Sequence, residues 1–177
     1  MNTDTYNNAR KKALQLLSYG PRSRRGLTER LIKAGYTDND IIEAILIDME
    51  GLGFVNDVKM AADYVAYAVE SKGYGRYRIL NELDCRGIEK DIAEESYNNY
   101  ITQREAEADG EFDRNAVDTE NATSALKKRL QQTGLDADEL DHADVRRLTA
   151  FLHRRGFSFD VISRAFKGIK EMDEQSH

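Results

Sequence analysis

The sequence predicts an all-α protein, an elongated array of three tandem three-helix repeats. Three observations predict it. Gly35, Gly53, Gly73, Gly87, Gly134 and Gly156 each follow an amphipathic run, at the position where a left-handed residue closes a helix. The spacing Leu27-x3-Leu31-x3-Gly35 returns 52 residues later as Ile79-x3-Leu83-x3-Gly87, and a further 69 later as Leu148-x3-Leu152-x3-Gly156. Finally, the 177 residues contain one proline and no tryptophan, a poor composition for a turn-rich β-sandwich or barrel.

Nine helices follow in order. The first, 7–19, is basic and amphipathic, with Ala13 and Leu17 on its apolar side and Gln15 between them. Its apolar run is too short for a signal peptide or a membrane span. Ser23 caps the second, 23–34, whose stripe is Leu27 and Leu31. Thr37 or Asp38 opens the third, 38–51, and Ile41 begins its apolar period. Asn56 or Asp57 opens the fourth, 57–72, where Val65-x3-Val69 stands ten residues ahead of Ile79, as Ala13-x3-Leu17 stands ahead of Leu27. The fifth, 76–86, carries Ile79 and Leu83, and the sixth, 89–108, begins its stripe at Ile92. The seventh, 116–133, ends at Gly134. The eighth, 142–155, carries Leu148 and Leu152, and Ser158 caps the ninth, 159–171, with Val161 leading its stripe. No segment reads better as a strand.

Each unit is thus helix, middle helix, glycine, third helix. The repeats span 1–54, 55–103 and 104–177, the last including an acidic linker and tail. Such units bury together what one cannot bury alone. The stretch Thr102–Asn121 is acidic and nearly free of large apolar residues, so it reads as an exposed helix end and linker. The tail after Lys170 is expected to fray.

Net charge is −6, but it comes in blocks. Residues 1–36 hold eight basic and two acidic side chains, and 37–73 hold two and eight. Residues 88–122 hold three and eleven, and 123–170 hold ten and six. Blocks of alternating sign describe partner surfaces better than the total does.

For catalysis the residues offer little. His142, His153 and His177 form no HExxH, and no P-loop is present. Gly73-Tyr74-Gly75 lacks the preceding strand of a dinucleotide fingerprint. No catalytic, cofactor-binding or metal-binding residue is expected, and the chain reads as a non-enzyme. The single cysteine, Cys85, excludes an intramolecular disulfide, fits a reducing cytosol, and reads as a buried or half-buried inert thiol.

The arginines say more. At ~100° per residue, Arg25 and Lys33 on the first middle helix fall about 160° and 240° from its first apolar position. Arg78 falls at about 260° on the second, and Arg146, Arg147 and Arg154 at about 160°, 260° and 240° on the third. If the repeats stack in register, these faces join into a basic stripe suited to phosphates or an acidic protein surface. A DNA-reading helix-turn-helix is disfavoured, because the helices after Gly35 and Gly87 are acidic where the major groove would demand the opposite.

Four motifs on this frame resemble those of the RecX family. Gly73-Tyr74-Gly75-Arg76-Tyr77-Arg78-Ile79-Leu80-Asn81-Glu82-Leu83 with Arg86-Gly87-Ile88 resembles its GxGPxRIxxEL…KGI stretch. Pro21-Arg22-Ser23-Arg24 with Leu27, Arg30 and Leu31 resembles PRSxxELxxKL. Gly53-Phe54-Val55-Asn56-Asp57 with Ala61 resembles G-[YF]-L-[DN]-D…[FA]. Leu148-x3-Leu152-x2-Arg155-Gly156-Phe157 with Val161-Ile162 resembles the closing RFLxxRGF…I motif. The likeness runs in order from about residue 9 to 170. Arg76 departs from it where the motif has proline, Gly26 where it has an acidic residue, and Val55 where it has leucine.

The resemblance implies a bacterial cytoplasmic regulator of the recombinase RecA, acting in DNA repair, recombination and the SOS response. Such a protein lodges in the RecA filament on single-stranded DNA and inhibits its extension, ATPase, strand exchange and co-protease activity. The expected partner-binding residues are Arg22, Arg24, Arg25, Arg30, Lys33, Arg76, Arg78, Arg86, Arg146, Arg147, Arg154 and Arg155. The chain is expected to act as a monomer, with weak direct DNA contact and no membrane. The alternative on the same residues is a non-specific DNA-binding helical module.

Overall fold

A computed structural model describes residues 3–107, 113 and 115–174, with side chains through Ile169. Among the described residues there are nine helices and no strand. They are α1 (Thr3–Ser18), α2 (Arg24–Lys33), α3 (Asn39–Gly51), α4 (Asp57–Glu70), α5 (Arg76–Cys85), α6 (Lys90–Glu107), α7 (Ala116–Thr133), α8 (His142–Arg154) and α9 (Phe159–Glu174). None is long and apolar enough to cross a membrane. The expected helices fall in place, each end at the expected residue or within four residues of it. α1 starts earlier than its apolar period, with Asp4 in the first turn facing the positive helix end. α9 runs to Glu174, so the start of the expected frayed tail is helical, and 175–177 lie outside the described residues.

The expected caps are made. Ser23 Oγ accepts the Gly26 N–H at 3.0 Å, Asn56 Oδ1 the Lys59 N–H at 2.8 Å, and Ser158 Oγ the Val161 N–H at 3.3 Å. Asp38, not Thr37, caps α3. All six marked glycines have positive φ. The stripes are also where the spacing puts them: Leu27, Leu31, Ile79, Leu83, Leu148 and Leu152 are all buried.

The chain divides into two compact units, Met1–Asp63 with Glu82–Ser96, and Tyr64–Asn81 with Tyr97–His177. In the first, α1, α2 and α3 enclose a core of Ala9, Ala13, Leu27, Leu31, Ile41, Ile45, Met49 and Val55, with Tyr6, Leu14 and Leu17 against it. In the second, α7, α8 and α9 enclose Leu126, Leu130, Leu148, Leu152, Phe157, Val161 and Ala165.

The charge blocks have an internal explanation in the first unit. Arg10 Nε donates to Asp48 at 2.6 Å, and the Arg24 guanidinium holds Glu50 at 2.6 Å and Glu43. The basic opening and the acidic stretch after it therefore partly neutralise each other. Cys85 is exposed, contrary to expectation. Two positions past Leu83 is about 200° around the helix, which places its thiol away from the stripe. The acidic stretch matches the expected helix ends and departs from expectation only at Asp118. Residues 102–107 finish α6 and 116–121 begin α7, where Asp118 is buried. Residues 108–112 and 114 lie outside the described residues.

Candidate partner-binding surface

Two joints organise the arginines. In the first unit the N-terminus of α2 meets the C-terminus of α5. Ser23 Oγ donates to the Arg86 carbonyl at 2.6 Å while accepting the Gly26 N–H. A Cβ on Gly87 would stand 2.6 Å from Ser23 Oγ, so only glycine admits this approach. In the second unit the N-terminus of α5 meets the C-terminus of α8. The Gly75 N–H donates to the Arg155 carbonyl at 2.9 Å and the Tyr77 N–H to the Gly156 carbonyl at 3.1 Å. Each joint sets the positive end of one helix against the free carbonyls of another, so both sets of unpaired groups find partners.

Each joint has a distant acid as a second cap. The Arg24 N–H donates to Asp57 Oδ1 at 2.9 Å, and the Arg76 N–H to Asp118 Oδ2 at 3.3 Å. Asp118 also accepts the Tyr97 hydroxyl at 3.1 Å. Burial raises both carboxyls above the ordinary aspartate value, against the lowering effect of these donors. Burial, with Asp118 beside it, pushes the Tyr97 phenol far up. Asp57 is marked in the sequence as a helix opener, but nothing there points to its bond with Arg24, and nothing in the spacing marks Asp118, which stands in an acidic stretch.

The expected stripe is corrected at these joints. Arg25 is half exposed, but its guanidinium holds the Asp84 carboxylate at 3.3 Å and the Asp84 carbonyl. Arg78 is half-buried, stacked 3.9 Å over the Tyr74 ring, and donates to the Arg154 carbonyl at 3.4 Å. Arg155 donates to the Lys72 and Gly73 carbonyls and stacks on Tyr74 and Phe151 at 5.4 and 5.7 Å. Its Nε is buried without a hydrogen-bond partner among the described residues. Arg76 lies half-buried over the Tyr97 ring at 5.7 Å. The face opposite a stripe is not always solvent: near a middle helix's N-terminus it looks onto another helix's last carbonyls.

Of the remaining expected residues, Arg24 is half-buried and held by Glu43 and Glu50, Arg22 is half-buried, and Arg30, Lys33, Arg86, Arg146, Arg147 and Arg154 are exposed. Arg22, Arg25, Arg30 and Arg86 converge with Cys85 on a polar groove of about 270 Å³, in which Arg22 also donates to the Leu16 carbonyl at 3.2 Å. Lys33 is exposed at the other end of α2. Arg146, Arg147 and Arg154 are exposed on α8. Arg147 pairs with Asp144 at 3.3 Å yet keeps 78% of its side chain exposed. Arg147 and Arg154 border a groove of about 560 Å³ between α7 and α8, which Arg129, unmarked by the repeat spacing, completes.

These features define a tandem-repeat helical protein in which one head-to-tail joint is used twice and arginines serve both as clasps and as exposed surface. The chain belongs to the RecX family. It matches the family models for the first RecX three-helix domain over residues 9–46, the second over 56–96 and the third over 116–166. It is 33% identical over 157 residues to the regulatory protein RecX of Bacillus licheniformis, covering 89% of this chain and 53% of the relative. The chain thus spans about half the length of that relative. It is 28% identical to the regulatory protein RecX of Legionella pneumophila, covering 89% of this chain and 92% of the relative. With the crystal structure of RecX from Lactobacillus salivarius it shares the fold, at a TM-score of 0.73 and 22% identity over 96% of this chain and 97% of that one. These names support a RecX regulatory role.

Proposed function

We propose that the chain binds the RecA filament on single-stranded DNA in the cytoplasm and inhibits its extension, ATPase, strand exchange and co-protease activity. The observation that carries this reading is the ordered match to all three RecX domains. Regulation then works by occupancy and needs no catalytic group. Exposed Arg146, Arg147 and Arg154, and the groove of Arg22, Arg25, Arg30 and Arg86, supply cationic contacts for phosphates or acidic side chains. Many modest contacts of this kind sum to a useful affinity without one deep pocket.

The test is RecA ATPase on single-stranded DNA, titrated with the protein. The rate falls with added protein, and a flat titration refutes the reading. The four-arginine groove favours a second reading, a non-specific DNA-binding module. That reading requires tight gel shifts on bare DNA, weakening steeply with salt. The filament regulator instead shifts filaments far better than bare DNA.

A further inference from the structure

We propose that the groove between α7 and α8 seats an acidic protein segment carrying one apolar side chain, and that this segment belongs to the protein component of the filament. The second clause rests on the functional reading above; the first does not. The groove's volume of about 560 Å³ lies in the range that takes a bound side chain with its flanking backbone. Its floor is apolar: Leu148 is buried, and Leu135 and Phe151 are half-buried. Ala150, exposed and small, lets a chain approach the helix closely. Its rim is cationic, with exposed Arg129, Arg147 and Arg154. Asp144 lies within the groove but is largely covered and held by Arg147. Among the described residues no carboxylate pairs with Arg129 or Arg154, so their charge is available to a partner.

An apolar floor inside an arginine rim fits an anchor residue flanked by carboxylates, with burial supplying affinity and charge supplying orientation. It fits single-stranded DNA poorly. Base stacking needs an open aromatic face, and the Phe151 ring already has the Arg129 and Arg155 guanidiniums against it at 5.6 and 5.7 Å. A sugar-phosphate backbone also gains nothing from Leu135 and Leu148.

The test uses the full chain in two arms. In the first, amide resonances are followed during titration with a synthetic peptide of five glutamates around one leucine, its all-glutamine counterpart, and a short oligo-dT. The acidic peptide shifts Leu135, Ala150 and Phe151, and does so less as salt rises. Equal shifts from the glutamine peptide, no shifts, or shifts there from oligo-dT overturn the groove assignment. In the second arm, Ala150→Glu and the pair Arg129→Gln with Arg147→Gln are assayed for RecA ATPase inhibition, with the helical signal as the check on folding. Either change raises the half-inhibitory concentration about tenfold or more. If wild type inhibits and the folded variants inhibit equally, the groove is not the filament contact. If wild type itself does not inhibit, the functional reading fails, and the peptide arm still decides the groove.

Discussion

Asp118 accepts the backbone N–H of Arg76 at 3.3 Å, from 42 positions further along the chain. Arg76 stands where the RecX-like motif has proline, which has no N–H to satisfy. The donor that arginine introduces at the helix start is taken by a buried carboxylate, 7% exposed, which Tyr97 also holds. Asp57 does the same for Arg24, from 33 positions away.

Asp118→Ala therefore removes two hydrogen bonds from a buried place and leaves both donors unpaired. The expected cost is about 1–3 kcal/mol, read from urea unfolding. Arg76→Pro, although proline suits the first position of a helix, should destabilise here, because it leaves the carboxylate with Tyr97 alone. A stabilised Arg76→Pro variant would show that the Arg76–Asp118 bond contributes nothing.

The same carboxylate gives a pH signature. Burial raises its folded pKa above the unfolded value, so the folded state holds the proton to higher pH. The associated stability is fully present below the ordinary aspartate pKa and is lost as pH rises through the window just above it. The advantage of wild type over Asp118→Asn should thus be larger at about pH 4 than at pH 7. Other groups cancel in that difference, and an advantage that grows with pH would contradict the assignment.

Gly156 and Gly134 both have left-handed φ, at 91° and 66°, but only one is crowded. A Cβ on Gly156 would collide with the Arg78 backbone nitrogen, whereas Gly134 has open space around it. Gly134→Ala should cost about 1 kcal/mol, the price of the backbone conformation alone. Gly156→Ala should cost about 2–4 kcal/mol, since the α5–α8 joint must open as well. Thermal melts of the two variants side by side test the difference, and equal shifts would mean the joint yields freely.

Adjacent arginines should separate stability from activity. Arg155→Lys keeps the charge but loses the Nη2 group, which donates to both the Lys72 and Gly73 carbonyls, and the flat face against Tyr74. It should lower stability by about 1–3 kcal/mol. The triple change Arg146→Gln, Arg147→Gln, Arg154→Gln should leave the melting transition near wild type while weakening RecA ATPase inhibition. Unchanged inhibition by that folded triple would remove the α8 face from the partner surface.

How much was legible in advance varies with the range of the interaction. Helix positions, the Ser23 and Ser158 caps, the glycine stops and the buried Leu27, Leu31, Ile79, Leu83, Leu148 and Leu152 all follow from spacings of three and four. Those contacts are local, so the order of residues along the chain determines them. The three repeats are legible for the same reason, since one local pattern recurs three times. Which arginines are exposed depended on something else. Angle around a helix places Arg25, Arg78 and Arg154 alike, yet the first holds Asp84, the second lies over Tyr74, and the third faces solvent. Arg155, one residue beyond, is drawn inward by the carbonyls of Lys72 and Gly73. Asp118 read as part of an acidic linker and proved to be a buried cap. Arg129 joined a groove that no spacing suggested. Except for Tyr74, a near neighbour of Arg78 in the chain, the deciding partners are distant in sequence. Local order sets where a side chain leaves its helix, and only packing between helices decides whether it meets water, a carbonyl or a ring.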